Sequence, residues 1–310
     1  QSHKTAQTRP AEREVVPNPS VGKTAFALNL ARNAAVDNNM PVAIFSLEMS
    51  SIELVNRLMT TESGLESEKI KGAQELTQKD WDQLQYSVKA LAKAPIYIDD
   101  TPGLSVMEFR TKAKRLVKSK GVRFIIVDYL QLMQGPSELR GMREQEVAAI
   151  SRTLKGTAKE LEIPIMALSQ LSRNAVQRGN SNNRPMLSDL RESGSIEQDA
   201  DIVMFVHRPD AIGLGETVED KEYTEIIFAK NRNGQIGTIA MRYKGGQLKF
   251  VEANDNLAAT FGSAMNGPVT GGDSGSQGFD GGYNPADDFG GGMPSGGFPG
   301  PGEFDNSSFM

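Results

Sequence analysis

The chain has 310 residues, 38% of them hydrophobic, and a net charge of −5, enough for one large α/β domain or two small ones. No run of about 18 apolar residues is present to read as a membrane span, and the first eighteen residues are too polar for a signal-peptide core. Zero cysteines exclude disulfides and thiolate metal sites and fit a cytoplasmic location.

Residues 1–17 read as a polar N-terminal segment or linker remnant, in which Val15-Val16 is the stub of a strand. The run Pro19-Ser20-Val21-Gly22-Lys23-Thr24-Ala25 follows, and an apolar helix-forming stretch over about 22–36 continues it. A glycine directly before Lys-Thr lets backbone N–H groups turn inward on a phosphate, while the new helix points its positive end at the same spot. Lys23 is then the group that neutralises the β/γ-phosphates of ATP, and the Thr24 hydroxyl the group that holds Mg²⁺. Ser20, Val21, Gly22 and Ala25 complete this nucleotide-binding turn. The pattern is imperfect, because Pro17 stands where the full phosphate-loop signature has its first glycine. Taken alone, Gly-Lys-Thr also reads as a helix N-terminus with a nearby lysine.

From Gly22 onward helices and apolar strands alternate. Pro41 to Leu47 is a continuous apolar run of the kind parallel strands show when both faces are covered. Ser50-Ser51-Ile52-Glu53 is a capping box opening a helix with Ile52, Val55, Leu58 and Met59 on one face. A helix over about 78–92 carries Trp81, Leu84, Val88 and Leu91, Ile96 to Asp100 is a short strand, and Ser105 caps a helix ending near Gly121. Val122 to Asp128 is the most apolar strand candidate, residues 134–142 read as a mobile loop, and 143–161 as a long amphipathic helix. Ile163 to Gln170 is another buried strand, 172–195 read as loops, and Asp201 to Val206 as a fifth strand. Segments 225–229, 238–243 and 247–251 read as antiparallel strands closing one side. Repeated units of this kind imply an α/β fold with a mostly parallel twisted sheet flanked by helices, whose ligands sit at the strand C-termini.

Three polar residues stand at such strand exits. Glu48 follows Phe45-Ser46-Leu47 and is placed to deprotonate a water attacking the terminal phosphate. Asp128 ends the most apolar strand and is the acid for Mg²⁺ or its waters. Gln170 is placed to sense the terminal phosphate and relay its loss to the next loop. Each alone is an ordinary loop residue; three on successive units beside Gly-Lys-Thr are a constellation.

Ser46-Leu47-Glu48-Met49-Ser50, Ile126 to Met133, Ser169-Gln170-Leu171-Ser172-Arg173, Ser188 to Asp201 and Ala229-Lys230-Asn231-Arg232-Asn233-Gly234 resemble the successive motifs of the RecA-like P-loop motor domain of bacterial replicative DNA helicases, the DnaB family. The resemblance runs over residues 18–252 in the family's order, and strings as long as Leu190 to Asp201 are highly specific. It implies that Lys23 and Thr24 bind phosphate and Mg²⁺, that Glu48 is the catalytic base, that Asp128 is the Walker B acid and that Gln170 couples phosphate state to DNA. It implies further that Lys230 and Arg232 reach the neighbouring subunit's ATP as fingers, and that Arg57 lies near the nucleotide. The loop of Arg191, Glu192 and Gly194 is implied to hold single-stranded DNA. Without the resemblance, residues 230–234 read as a charged β-turn. A finger acting in trans needs a neighbour, and a closing heterologous interface gives a ring, here a homo-hexamer. A helicase loader and primase are the partners implied, although the collar domain that engages primase in the family is not recognisable in this chain. The implied activity is ATP-driven 5′-to-3′ translocation on single-stranded DNA with duplex unwinding. A truncated relative that binds nucleotide or DNA without unwinding, or a RecA-type repair ATPase, are the alternative readings.

Past the 18–254 motor segment, residues 255–310 hold seven acidic side chains and no Lys or Arg, which leaves 32 acids against 34 bases over residues 1–254. The body is therefore near neutral, and binding an anionic polymer requires its basic groups to be clustered. The tail contains 15 of the 31 glycines and shows neither helical nor strand periodicity, so it is expected to be disordered. It reads as a solvating tether, or, through Asp287-Asp288-Phe289 and Glu303-Phe304-Asp305, as docking motifs. It loosely resembles the acidic tails of single-strand-binding proteins.

Overall fold

The computed structural model describes residues 22–171, 184–210 and 221–253. The Val15-Val16 strand stub, residues 1–17 and the acidic tail lie outside them.

Helix α1 (Lys23–Arg32) is prolonged by a π-helical turn, Asn33–Asp37. Strands β1 (Val42–Ser46), β2 (Ile96–Asp99), β3 (Phe124–Asp128) and β4 (Ile165–Ala167) form a parallel sheet in the order β2-β1-β3-β4. Between them run α2 (Ser51–Ser63), the short α3 (Ser67–Ile70), α4 (Gln78–Lys93), α5 (Val106–Lys120) and α6 (Arg143–Leu161). The uninterrupted apolar run of β1 is explained by cover on both faces. Ala43 and Phe45 pack with Ile125, Val127, Phe109 and Ile150 on one side, where the Phe45 and Phe109 rings meet edge-on at 4.8 Å. Val42 and Ile44 pack with Ile126, Leu28, Ala31, Leu54 and Leu58 on the other. Complete burial of such side chains is the dominant stabilising term, roughly 1.5–3 kcal/mol for each large one.

The helix boundaries follow local chemistry. Ser50 and Glu53 form the expected capping box of α2, Thr77 and Asp80 a second one at α4, and the Ser105 hydroxyl accepts from the Glu108 N–H at α5. Two helix faces differ from expectation. In α4 it is Asp80 and Ser87 that are buried, while Trp81 is 49% and Val88 38% exposed, because Asp80 both caps the helix and pairs with Lys69 at 2.8 Å. In α2 the buried stripe is Leu54 and Leu58, which leaves Ile52 and Val55 outside.

The strand expected as the fifth of the parallel sheet, β5 (Ile202–His207), belongs instead to a separate antiparallel sheet with β6 (Tyr223–Asn231), β7 (Gly237–Lys244) and β8 (Lys249–Glu252), in that order. Its alternating burial is that of a half-covered antiparallel strand. Phe26 of α1 packs against this sheet with Tyr243, Phe250 and Ile226. The segment expected to be a mobile loop after β3 is fastened at its start. Gln134 exchanges backbone bonds with Leu104 and Val106, and the Gly135 N–H donates to Glu146 at 3.1 Å. In the described part of 172–195, read as loops, a 3₁₀ segment Leu187–Ser193 runs into helix α7 (Gly194–Asp199).

Candidate functional site

Gly22 precedes α1 in the left-handed region, φ 92°, which only glycine adopts without strain, and a Cβ there would also stand 3.4 Å from the Phe250 ring. The turn it permits delivers two side chains. Lys23 sends its Nζ to the carbonyl of Ser169, at the exit of β4, 3.1 Å away. Thr24 donates its hydroxyl to Oδ2 of Asp128 at the end of β3, 2.8 Å away. Burial pushes the Lys23 ammonium below its ordinary value, and attraction to Asp128 and Glu48 offsets part of this. Burial pushes the Asp128 carboxyl up, the Thr24 hydrogen bond draws it back and Glu48 raises it further. The three sequence candidates Lys23, Thr24 and Asp128 thus form one group.

Glu48 lies beside that group. The register pairs Ser46 with Asp128, the Leu47 N–H donates to the Asp128 carbonyl at 2.7 Å, and the Ser46 hydroxyl closes the turn onto the Met49 carbonyl at 2.6 Å. Glu48 is exposed at this turn and acts electrostatically on Lys23, Asp128 and Tyr129. Arg57, half-buried on α2, acts on Asp128 and Tyr243 in the same way. Gln170 is exposed just past β4, and the amide of Gln131 holds its backbone. Gln131 stands inside the motif string after Asp128, but its contact spans 39 residues, so spacing alone gave it no role.

Lys230 and Arg232 are gathered elsewhere. The Lys230 ammonium donates to the carbonyls of Glu197 and Gln198 at the end of α7, the Arg232 guanidinium donates to Gln198 at 2.9 Å, and the Arg232 N–H donates to the Asp201 carbonyl at 3.0 Å. None of these partners belongs to the Lys23–Asp128 group. Arg191 and Glu192 fall in the 3₁₀ segment and Gly194 opens α7, but the side chains of 191–194 lie outside the described residues, as do Ser20 and Val21.

A second feature was not read from sequence. The Arg208 guanidinium lies 4.7 Å from the centroid of the Tyr243 ring, Tyr243 lies 4.7 Å from Phe250, and both rings border Gly22. A buried cation–aromatic cluster, its two rings tilted 40° to each other, therefore adjoins the phosphate-type turn. Its members come from the antiparallel strands and the end of β5, and only the fold brings them to residue 22. Among the described residues no group of three or more His, Asp or Glu side chains is placed to hold a metal. A hydroxyl and a single carboxylate are the donor set instead, which suits Mg²⁺, since that ion takes few protein ligands beside phosphate and water. No helix of the described residues is long and apolar enough to cross a membrane.

Comparison with known proteins supplies the context of this arrangement. The model of the DnaB-like helicase C-terminal domain matches residues 15–252. The replicative DNA helicase DnaB of Geobacillus stearothermophilus is 48% identical over 251 residues, 81% of this chain and 53% of that protein. The replicative DNA helicase DnaC of Bacillus subtilis (strain 168) is 48% identical over 237 residues, 76% of this chain and 51% of that protein. The chain thus spans about half the length of these curated relatives. A solved structure of a DnaB-like replicative helicase, described with its interactions with primase, superposes with a TM-score of 0.71 at 39% identity, covering 76% of this chain and 56% of that one.

Proposed function

The chain belongs to the DnaB-like helicase C-terminal domain family, and on that premise we propose that it is the ATP-hydrolysing motor of a replicative DNA helicase, translocating 5′ to 3′ on single-stranded DNA and unwinding duplex. The observation that carries the reading is the 2.8 Å bond from Thr24 to Asp128 with Lys23 partly buried beside it, which joins the phosphate-type turn to the strand-end acid.

In this reading Lys23 meets the β/γ-phosphates, where an anionic partner offsets the cost of its burial. Thr24 and Asp128 would hold Mg²⁺, which would supply positive charge to offset that of the phosphates. Glu48, exposed at the mouth, accepts the proton of the attacking water. Gln170 contacts the terminal phosphate and registers its departure. Arg57 lies near the nucleotide, and the Arg208–Tyr243 cluster borders the base. Lys230 and Arg232, whose partners in this chain are carbonyls and, for Arg232, the half-exposed Asp201 carboxylate, act on the ATP of an adjoining copy in a ring of six. Arg191, Glu192 and Gly194 grip the phosphates of the strand without reading its sequence. A helicase loader and primase are the proposed protein partners.

The test is ATP turnover with and without single-stranded DNA, for the native chain and for Glu48→Gln. Turnover that DNA stimulates and Glu48→Gln abolishes is expected. Tight nucleotide or DNA binding with no turnover in the native chain would overturn the motor reading.

A further inference from the structure

Gln131 makes more contacts to the sensor segment than any residue of the nucleotide group does. Its side-chain Nε2 donates to the Ser169 hydroxyl at 2.7 Å and to the Gln170 carbonyl at 3.2 Å, and its Oε1 accepts from the Gln170 N–H at 3.3 Å. One primary amide thereby engages both backbone groups of Gln170, as a neighbouring strand would do where β4 has already ended at Ala167. Ser169, held by the same amide, is the residue whose carbonyl receives the Lys23 ammonium.

On its other side, the main-chain carbonyl of Gln131 accepts from the guanidinium of Arg143, the first residue of α6. Arg143 also pairs with Glu146 at 2.9 Å, and Glu146 in turn accepts from the Gly135 N–H. Helix α6 is tied at its other half to the segment after α7, because Lys155 pairs with Asp201, which also pairs with Arg232 at 3.5 Å. A continuous set of polar contacts therefore leads from the residue that holds Lys23, through Gln131, to the helix beside the segment of Arg191 and Gly194. Burial does not explain the arrangement, since Gln131 is only half-buried and Gln170 is exposed. Water could satisfy all the groups that Gln131 satisfies.

We propose that Gln131 is a positioning residue for the reaction. It holds the backbone of Gln170 so that the Gln170 side chain faces the terminal phosphate, and it passes the displacement of that segment to α6 through Arg143. The proposal rests on the reading of Gln170 as the phosphate sensor. A side-chain amide suits the task because it carries its donor and its acceptor on two separate atoms, which can meet a C=O and an N–H at once.

The experiment measures ATP turnover, with and without single-stranded DNA, for Gln131→Leu, Gln131→Glu, Gln170→Ala and the Gln131→Leu/Gln170→Ala double variant, alongside thermal melting. Gln131→Glu keeps the shape and the acceptor and loses the donor, so it separates the clamp from packing. Both Gln131 variants are expected to lose about 10-fold in DNA-stimulated kcat, with KM for ATP and the melting temperature unchanged. The double variant is expected to be no slower than Gln170→Ala. A KM that rises with kcat unaltered, or losses that multiply in the double variant, would overturn the proposal. Normal stimulation in the Gln131 variants beside a defective Gln170→Ala would overturn it alone. Normal stimulation in Gln170→Ala would overturn the sensor reading, and this proposal with it.

Discussion

The hydroxyl of Thr24 and the carboxylate of Asp128 are hydrogen-bonded at 2.8 Å, although 104 residues separate them and one opens α1 while the other closes β3. A threonine at the second position of a helix has no local reason to reach a strand-end acid that burial drives toward its neutral form. On the proposed reading the two are the protein ligands of Mg²⁺. Thr24→Ala is expected to lower ATP turnover on the order of 100-fold and to raise the Mg²⁺ concentration needed for half-maximal rate, while Thr24→Ser stays near native. Titration of turnover against Mg²⁺ checks this. An alanine variant with the native Mg²⁺ profile would show that the hydroxyl serves only the apo structure.

The Arg208–Tyr243 cluster leads to a different signature. A base bordered by it is bound alike in the ground and transition states, so Tyr243→Ala is expected to raise KM for ATP about 10-fold while kcat holds. Because Tyr243 also packs on Phe250 and Ile226, Tyr243→Phe is the control that keeps the ring and should stay native in KM. A fall in kcat with constant KM for Tyr243→Ala would remove the base from this seat.

The parts of this molecule that could be read from sequence are those governed by local chemistry or by burial on both faces. Ser50 and Glu53 announce α2 because a capping box is four residues long, and β1 and β3 announce themselves because Phe45, Ile125 and Val127 need cover on one side and Ile44 and Ile126 on the other. Lys23, Thr24, Glu48 and Asp128 follow, since the strand exits of a parallel sheet converge. What could not be read depends on partners distant in the chain. The run Ile202 to Val206 is apolar enough for a parallel sheet, and only its pairing with 225–231 makes it antiparallel. Trp81 looks like core until Asp80 is seen to hold the other face of α4 inside. Arg208 and Tyr243 carry no motif spacing, and they matter because Gly22 lies against the ring of one of them.

His207, at the end of β5, gives a prediction about stability. It is 4% exposed, lies opposite Glu225 in the β5–β6 register, and has nearby the Arg184 guanidinium, which pairs with Glu225 at 3.2 Å. Tyr223, whose hydroxyl donates to Glu225, completes the surroundings. Burial first, and Arg184 second, hold the imidazole down from 6.5 to about 4. A base whose folded pKa lies below its unfolded one is neutral in the folded chain where the unfolded chain already takes a proton. Its effect is therefore absent above about pH 6.5 and destabilises progressively as pH falls toward 4, by about 3 kcal/mol in full. His207→Gln is expected to flatten the acid side of a plot of melting temperature against pH between those values. An equally steep loss in that variant would assign the acid sensitivity to other groups.

The last prediction concerns the two cations of β6 and the turn after it. Lys230 and Arg232 are held by uncharged carbonyls at the negative end of α7, and among the described residues only Asp201, half-exposed, offers Arg232 a carboxylate at 3.5 Å. Such bonds are weaker than those to a phosphate, so a neighbour's nucleotide can take both side chains over. If that exchange is how a ring hydrolyses ATP, a chain lacking Lys23 still supplies good fingers, and a chain lacking Arg232 still supplies a good phosphate turn. Lys23→Ala and Arg232→Ala are each expected to hydrolyse ATP at least about 1000-fold more slowly than native, and an equimolar mixture is expected to recover measurable DNA-stimulated turnover at the interfaces that pair one intact half with the other. The rate is to be measured across mixing ratios, because complementation peaks at an intermediate ratio whereas contaminating native protein scales with one component. A mixture that never exceeds the two separate rates, while the chains are shown by size to assemble together, would place Arg232 at the site of its own chain.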